Sequence, residues 1–197
     1  MDLYGKTIGF AITGSYCTFH EILPEIKNLV ELGANVIPIL SSNVATTDTR
    51  FMKKDDLKFF LKETCGNEII ETIVAAEPIG PKKMLDLIIV APCTGNSLAK
   101  LALGISDTPV TLAVKAHLRN QRPVLIAPSS NDALAANAKN IGILMNLKHI
   151  FIVPVRQDNF SKKPTSLVSD MSLIPKAAAL ALEGIQLQPI LDSPYLM

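Results

Sequence analysis

Four stretches of the chain concentrate small hydroxyl and amide side chains: Thr13-Gly14-Ser15-Tyr16, Ser41-Ser42-Asn43, Pro92-Cys93-Thr94-Gly95-Asn96-Ser97 and Pro128-Ser129-Ser130-Asn131-Asp132. Such groups are poor acids and bases but good hydrogen-bond partners for a phosphate or a polyhydroxyl chain. Gly14 permits a tight turn, and the N–H groups heading the helix after it would point at a bound anion. The full G-x-G-x-x-G and G-x-x-x-x-G-K-[ST] patterns are missing. Taken singly, each stretch has a plainer reading. Gly14 could simply turn the chain, Ser41 and Ser42 could cap a turn, and Thr94 and Ser97 could cap a helix. Four such stretches at one edge are harder to explain as four independent caps.

The chain shows no Ser-His-Asp set, carboxylate pair or thiolate with a nearby base at suggestive spacing. An enzyme built on this sequence would rely on a cofactor for the reaction. His20, one turn into the first helix, could act as an acid or base or be a surface histidine. Cys93 could face a ligand or be a small buried hydrophobe.

The stretches fall where strands should end. Residues 7–12 and 36–40 are continuous apolar runs that read as strands buried on both faces, and a helical pattern over 19–32 joins them into one βαβ unit. A polar-faced helix is expected over 55–64 and a weaker stretch over 66–83, ending near the EPIGPKK turn. Strands are expected at 86–91, 123–127 and 150–155, with helices over 97–103, 109–118, 132–146 and 172–183. The QPIL segment after them should drape over another surface. No repeat or linker divides the chain, so the expected fold is α/β: a three-layer Rossmann-like sandwich with a central parallel sheet. It forms a single domain over 1–197, with a C-terminal helix and tail from about 172. Ligands of such sheets bind beyond the carboxyl ends of the strands, where the four stretches lie.

Composition narrows the partners. Of the 197 residues, 48% are hydrophobic and 19% charged, an apolar excess that suggests a buried subunit interface. The net charge of +1 gives no footprint for nucleic acid or an anionic membrane. The apolar runs fall far short of the ~20 residues of a membrane helix, and no export signal opens the sequence, so a cytoplasmic location is expected. Cys17, Cys65 and Cys93 are too scattered for a disulfide framework or zinc cluster, and the histidines stand at no metal-ligand spacing.

The stretches also carry a resemblance, running from about residue 6 to 156. APCTGNSLAKLALGISDTPVTLA resembles the central signature of the homo-oligomeric flavin-containing cysteine decarboxylases and the flavin prenyltransferases, and RPVLIAPSSNDALAANAKNIGILM resembles their next one. The resemblance implies FMN held between subunits of a trimer. Gly14 and Ser15, with Thr13 beside them, would take the phosphate, and Ser41 or Ser42 would assist. Pro92, Thr94, Asn96 and Ser97 would approach the ribityl chain and ring, with Ser129, Ser130 and Asn131 on the later loop. The chain departs from the decarboxylases in having Glu77-Pro78-Ile79-Gly80 where they carry a histidine, and Ser130 where they carry methionine. It departs from the prenyltransferases in having Leu112 and Ser129 near their arginine and glutamate.

GKTIGFAITGSYCTF, NVATTDTRF, EPIGPK, the SND loop, KKPTSLV and LQPIL look like the family of dipicolinate synthase B subunits. That resemblance covers nearly the whole chain. It implies work with a separate nucleotide-binding A subunit, oxidising dihydrodipicolinate to dipicolinate in the mother cell of a sporulating bacterium. NAD(P) could enter through that partner. Arg50, Lys162 and Lys163 could meet the substrate's carboxylates or be solvated surface charges. The alternatives are a cofactor-free accessory subunit of the same enzyme, or a divergent FMN-dependent decarboxylase or prenyltransferase.

Overall fold

The computed structural model describes residues 3–191. Its sheet is built on the apolar runs. Thr7–Ile12 (β1) pairs in parallel with Asn35–Leu40 (β2) on one side and with Leu87–Cys93 (β3) on the other. Val124–Ser130 (β4) lies parallel to β3, and Ile150–Ile152 (β5) lies parallel to the first half of β4. The parallel part thus runs β2-β1-β3-β4-β5. The chain crosses over between β1 and β3, which makes the ends of those two strands the switch point where such sheets take ligands.

Strand residues alternate between two apolar layers. Ile8, Phe10 and Ile12 of β1 and Leu87, Ile89 and Ala91 of β3 face one core; Ala11, Ile88, Val90 and Cys93 face the other. Burial on both faces is why these strands read as unbroken hydrophobic runs.

The first core is closed by the helix Phe19–Glu31 (α1), through Ile22, Ile26 and Leu29. Burying each of these side chains stabilises the fold by about 1.5–3 kcal/mol. Ser42–Thr46 (α2) is a single turn after β2, and Lys54–Cys65 (α3) adds Leu57 and Leu61 to the same core. The opposite core is covered by Ile73–Ala76 (α4), Gly95–Ala102 (α5), Pro109–Leu118 (α6) and Ala138–Met145 (α7). The alanine-rich Ile174–Leu182 (α8) returns to the first core.

Four expectations need correction. The stretch 66–83 forms only the short α4 and a 3-10 turn at Glu77–Ile79, because Pro78 and Gly80 interrupt it. The helix placed over 132–146 starts at Ala138. Before it the chain winds through turns in which Asp132 O accepts from the N–H groups of Ala135 and Asn137.

The strand placed over 150–155 breaks before Pro154, and Val155–Arg156 (β6) leaves the parallel sheet. It pairs antiparallel with Leu167–Ser169 (β7), which in turn pairs antiparallel with Ser129 and Ser130 at the end of β4. One strand is therefore held by β5 along its first half and by β7 along its second. Lastly, the QPIL segment lies on β6: Val155 N–H donates to Ile190 O, and Leu191 bridges Val155. The rest of the tail lies outside the described residues.

Candidate functional site

The loops after β1 and β3 are tied together from behind. Thr13, 1% exposed, donates its hydroxyl to Pro92 O at 2.7 Å and accepts from Thr94 N–H at 3.0 Å. The first bond is buried and the second half-buried, and together they tie the two strand ends to each other. Thr94 then caps α5, accepting from Ser97 N–H at 3.3 Å, with its hydroxyl 3.0 Å from Ser97 Oγ. Pro92 thus supports the site from beneath, while Thr13, Thr94, Asn96 and Ser97 line it.

Gly14 does not adopt a positive φ, and a Cβ there would lie 3.4 Å from the Tyr16 ring, an ordinary contact. The tight turn expected here is present, closed by Ser15 N–H donating to Thr13 O at 2.8 Å, but it does not need a positive φ. The chain's own packing leaves room for a side chain at this position, and that room opens onto the site.

Three adjoining depressions run along the strand ends. The inner one, about 300 Å³, lies between Gly14, Ser41, Ser42, Asn43 and the start of α6. The middle one, about 370 Å³, shares Gly14, Thr94 and Asn96 with it and continues to Ser129–Asn131. The outer one, also about 370 Å³, shares Ser15, Ser129, Ser130 and Asn131 with the middle and extends to Arg156 and Lys163. Inner and outer share no residue, which fixes their order along one groove. The inner part is walled by Thr108 and Thr111, whose side chains form a reciprocal capping box on α6. Its lysine, Lys100, is taken up by both carboxylate oxygens of Asp107, at 2.8 and 2.7 Å.

The middle of the groove rests on a polar cluster. Asp132 Oδ1 accepts from Ser130 Oγ at 2.5 Å and from Asn137 Nδ2 at 2.9 Å, and Oδ2 accepts from the same amide at 2.8 Å. The Ser130 hydroxyl, foremost among the groups favouring the charged form, holds this carboxyl below its ordinary value. Gly95 packs directly on the cluster: a Cβ there would stand 2.6 Å from both Asn137 Nδ2 and Ser130 Oγ. Asn131 is held through its carbonyl, which accepts from Thr165 Oγ1 at 2.7 Å.

All the predicted cofactor residues except Pro92 line this groove. The predicted cations divide. Lys163 lines the outer cleft, where it pairs with Asp158 at 3.1 Å. Arg50 is stacked over Phe51, 4.8 Å from the ring centroid, and neither it nor Lys162 lines the groove. His20 is exposed and stands 3.9 Å from Glu21, also off the groove. Cys93 is fully buried in the core, where burial pushes its thiol far up. Among the described residues no cluster of His, Cys, Asp or Glu is arranged to hold a metal ion, and no helix is long and apolar enough to cross a membrane.

Sequence reasoning passed over Asn137 and Arg156. Asn137 was hidden inside a misplaced helix. Arg156 stands directly after an apolar run, and the rule that ligands sit beyond strand ends, applied to that run, would have found it.

The donors along the groove are mostly hydroxyls, amides and backbone groups, a set suited to a phosphate joined to a polyol. In keeping with that, the chain belongs to the flavoprotein family, whose pattern matches residues 1–174. Within it, the chain is 47% identical to the B subunit of dipicolinate synthase from Bacillus subtilis (strain 168), over 98% of its own length and 97% of the relative's. The crystal structure of the dipicolinate synthase B subunit from Bacillus halodurans C superimposes with a TM-score of 0.91 at 45% identity, covering 99% of this chain and 100% of that one. The FMN-dependent cysteine decarboxylase SpaF shares the fold, with a TM-score of 0.62 at 19% identity over 91% of this chain and 98% of that one.

Proposed function

We propose that this chain binds FMN along the groove and acts with a separate A subunit to oxidise dihydrodipicolinate to dipicolinate. The observation that carries the reading is the continuous run of hydroxyl and amide groups along the ends of β2, β1, β3 and β4. The family match and the likeness to dipicolinate synthase B subunits support it. Gly14, Ser15, Ser41 and Ser42 would hold the phosphate. Thr94, Asn96, Ser97 and the Ser129–Asn131 segment would meet the ribityl chain and ring, with Thr13 and Pro92 bracing them.

Forming the aromatic ring removes two electrons and two protons, and the flavin, when bound, supplies an acceptor for the electrons. The chain's own contribution is positional. Asp132 is a brace rather than a base, because both its oxygens are already occupied by Ser130 and Asn137. In the same reading NAD(P) arrives through the A subunit. The chain assembles as a trimer or a multiple of trimers and works in the cytoplasm of the mother cell of a sporulating bacterium.

One observation favours a second reading, an accessory subunit without cofactor: Ser15 and Ser129 satisfy each other's hydroxyls within the groove, at 2.8 Å. An absorbance titration of the full-length protein with FMN decides between them. Saturable binding at micromolar concentration or tighter supports the first. No binding at millimolar FMN means that the loops serve another ligand or the partner subunit.

A further inference from the structure

The outer cleft contains a cation that no other described residue pairs with. Arg156, Lys163, Asp158 and Glu21 are the charged side chains lining it. Lys163 is matched by Asp158 at 3.1 Å, and Glu21 has His20 beside it at 3.9 Å. Arg156 makes no ion pair and no side-chain hydrogen bond among the described residues.

The position of Arg156 is nonetheless built with care. It lies on β6, opposite Val168 of β7, beside the buried Val155 whose N–H is taken by Ile190 O. Its stem therefore emerges from a backbone paired on both sides. The cleft it faces has hydroxyls from Ser15, Ser129 and Ser166 on its walls, with the half-buried Val168, the register partner of Arg156, beside them.

We infer that this cleft is the subsite for a small cyclic carboxylic acid, with Arg156 as the fork that takes its carboxylate. A guanidinium offers two parallel N–H donors to a planar carboxylate, the Val168 side chain beside it suits the flat face of a ring, and the hydroxyls can meet a second polar group. The cleft shares Ser15 and Ser129–Asn131 with the middle of the groove, so an occupant would lie against the segment assigned above to the cofactor. The inference names the substrate end of the proposed site and takes its catalytic meaning from that reading. It replaces Arg50 and Lys162 as carboxylate ligands with a residue that lines the groove.

The test is calorimetric titration of the full-length protein with pyridine-2,6-dicarboxylate in metal-free buffer, alongside FMN titration of the same samples. Arg156→Gln should weaken dicarboxylate binding by about tenfold or more and leave FMN affinity unchanged. Arg156→Lys, which keeps the charge but loses the fork, should fall between them. Both variants should keep the parent's thermal midpoint, since the guanidinium makes no ion pair or hydrogen bond among the described residues. Dicarboxylate binding that depends on Arg156 in a protein that takes no FMN would uphold the subsite and sink the cofactor reading. Equal binding by parent and Arg156→Gln, or none by the parent, would overturn the subsite, whatever FMN does.

Discussion

The Oγ atoms of Ser15 and Ser129 lie 2.8 Å apart although 114 residues separate them in the chain. β1 and β4 are not neighbours in the sheet, so this contact spans the end of β3. It sets the spacing between the inner loops and the β4 segment, on which any ligand lying along the groove depends.

Breaking that contact should have a small structural cost and a larger functional one. Ser129→Ala removes one part-buried hydrogen bond and should lower stability by about 1 kcal/mol, read from urea denaturation. Ser15→Asp places a negative charge where a phosphate is proposed and should abolish FMN binding in the absorbance titration while the protein remains folded. Tight FMN binding by Ser15→Asp would remove the phosphate assignment.

The two groove glycines should respond in opposite ways. Gly14→Ala meets only the Tyr16 ring at ordinary distance, so stability should hold within about 0.5 kcal/mol while FMN affinity falls. Gly95→Ala drives a methyl into Asn137 and Ser130 and should cost about 1–3 kcal/mol of stability, seen as a lower denaturation midpoint. A stable Gly95→Ala with normal affinity would show that the Asp132 cluster can yield.

His117 should make the protein acid-sensitive. It is 1% exposed and lies 3.0 Å from Pro123 O, which can only accept, so the neutral ring donates from Nε2. Burial, with nearby Arg122 acting in the same direction, depresses its pKa from 6.5 to about 4. Between these values the unfolded chain binds a proton that the folded one refuses. Stability from this group is therefore complete above about pH 6.5 and declines as the pH falls toward 4, by about 3 kcal/mol in all. Urea midpoints measured across that range should show the decline in the parent and a flatter profile in His117→Gln.

How much of this was legible in the sequence depends on how each element is stabilised. β1, β2, β3 and β4 are buried on both faces and announce themselves as apolar runs, and the four polar loops follow from their ends. β6 and β7 are two and three residues long, stabilised by pairing with one another and with β4, so no local pattern marks them. The segment 131–137 has helical composition, but Asp132 diverts it by accepting hydrogen bonds from residues before and after it. Arg50 was attractive for its type alone, and only the folded position of its neighbour Phe51 shows where it goes.

The treatment of the sheet's edges has a consequence for how copies of the chain can meet. Beyond β2, Ile70 exchanges backbone bonds with Pro38 O and Leu40 N–H, and Asn67 donates to Val36 O. Pro38 itself has no N–H to offer a newcomer. At the opposite side, the side-chain amide of Gln186 accepts from Ile152 N–H at 2.8 Å and donates to Ile152 O at 2.7 Å, taking the place of a backbone strand on β5. Short pieces of the chain's own polymer thus stopper the sheet, leaving few free backbone groups to template strand addition by a second molecule. Any contact between copies is thereby steered away from backbone pairing at these edges and toward side-chain faces.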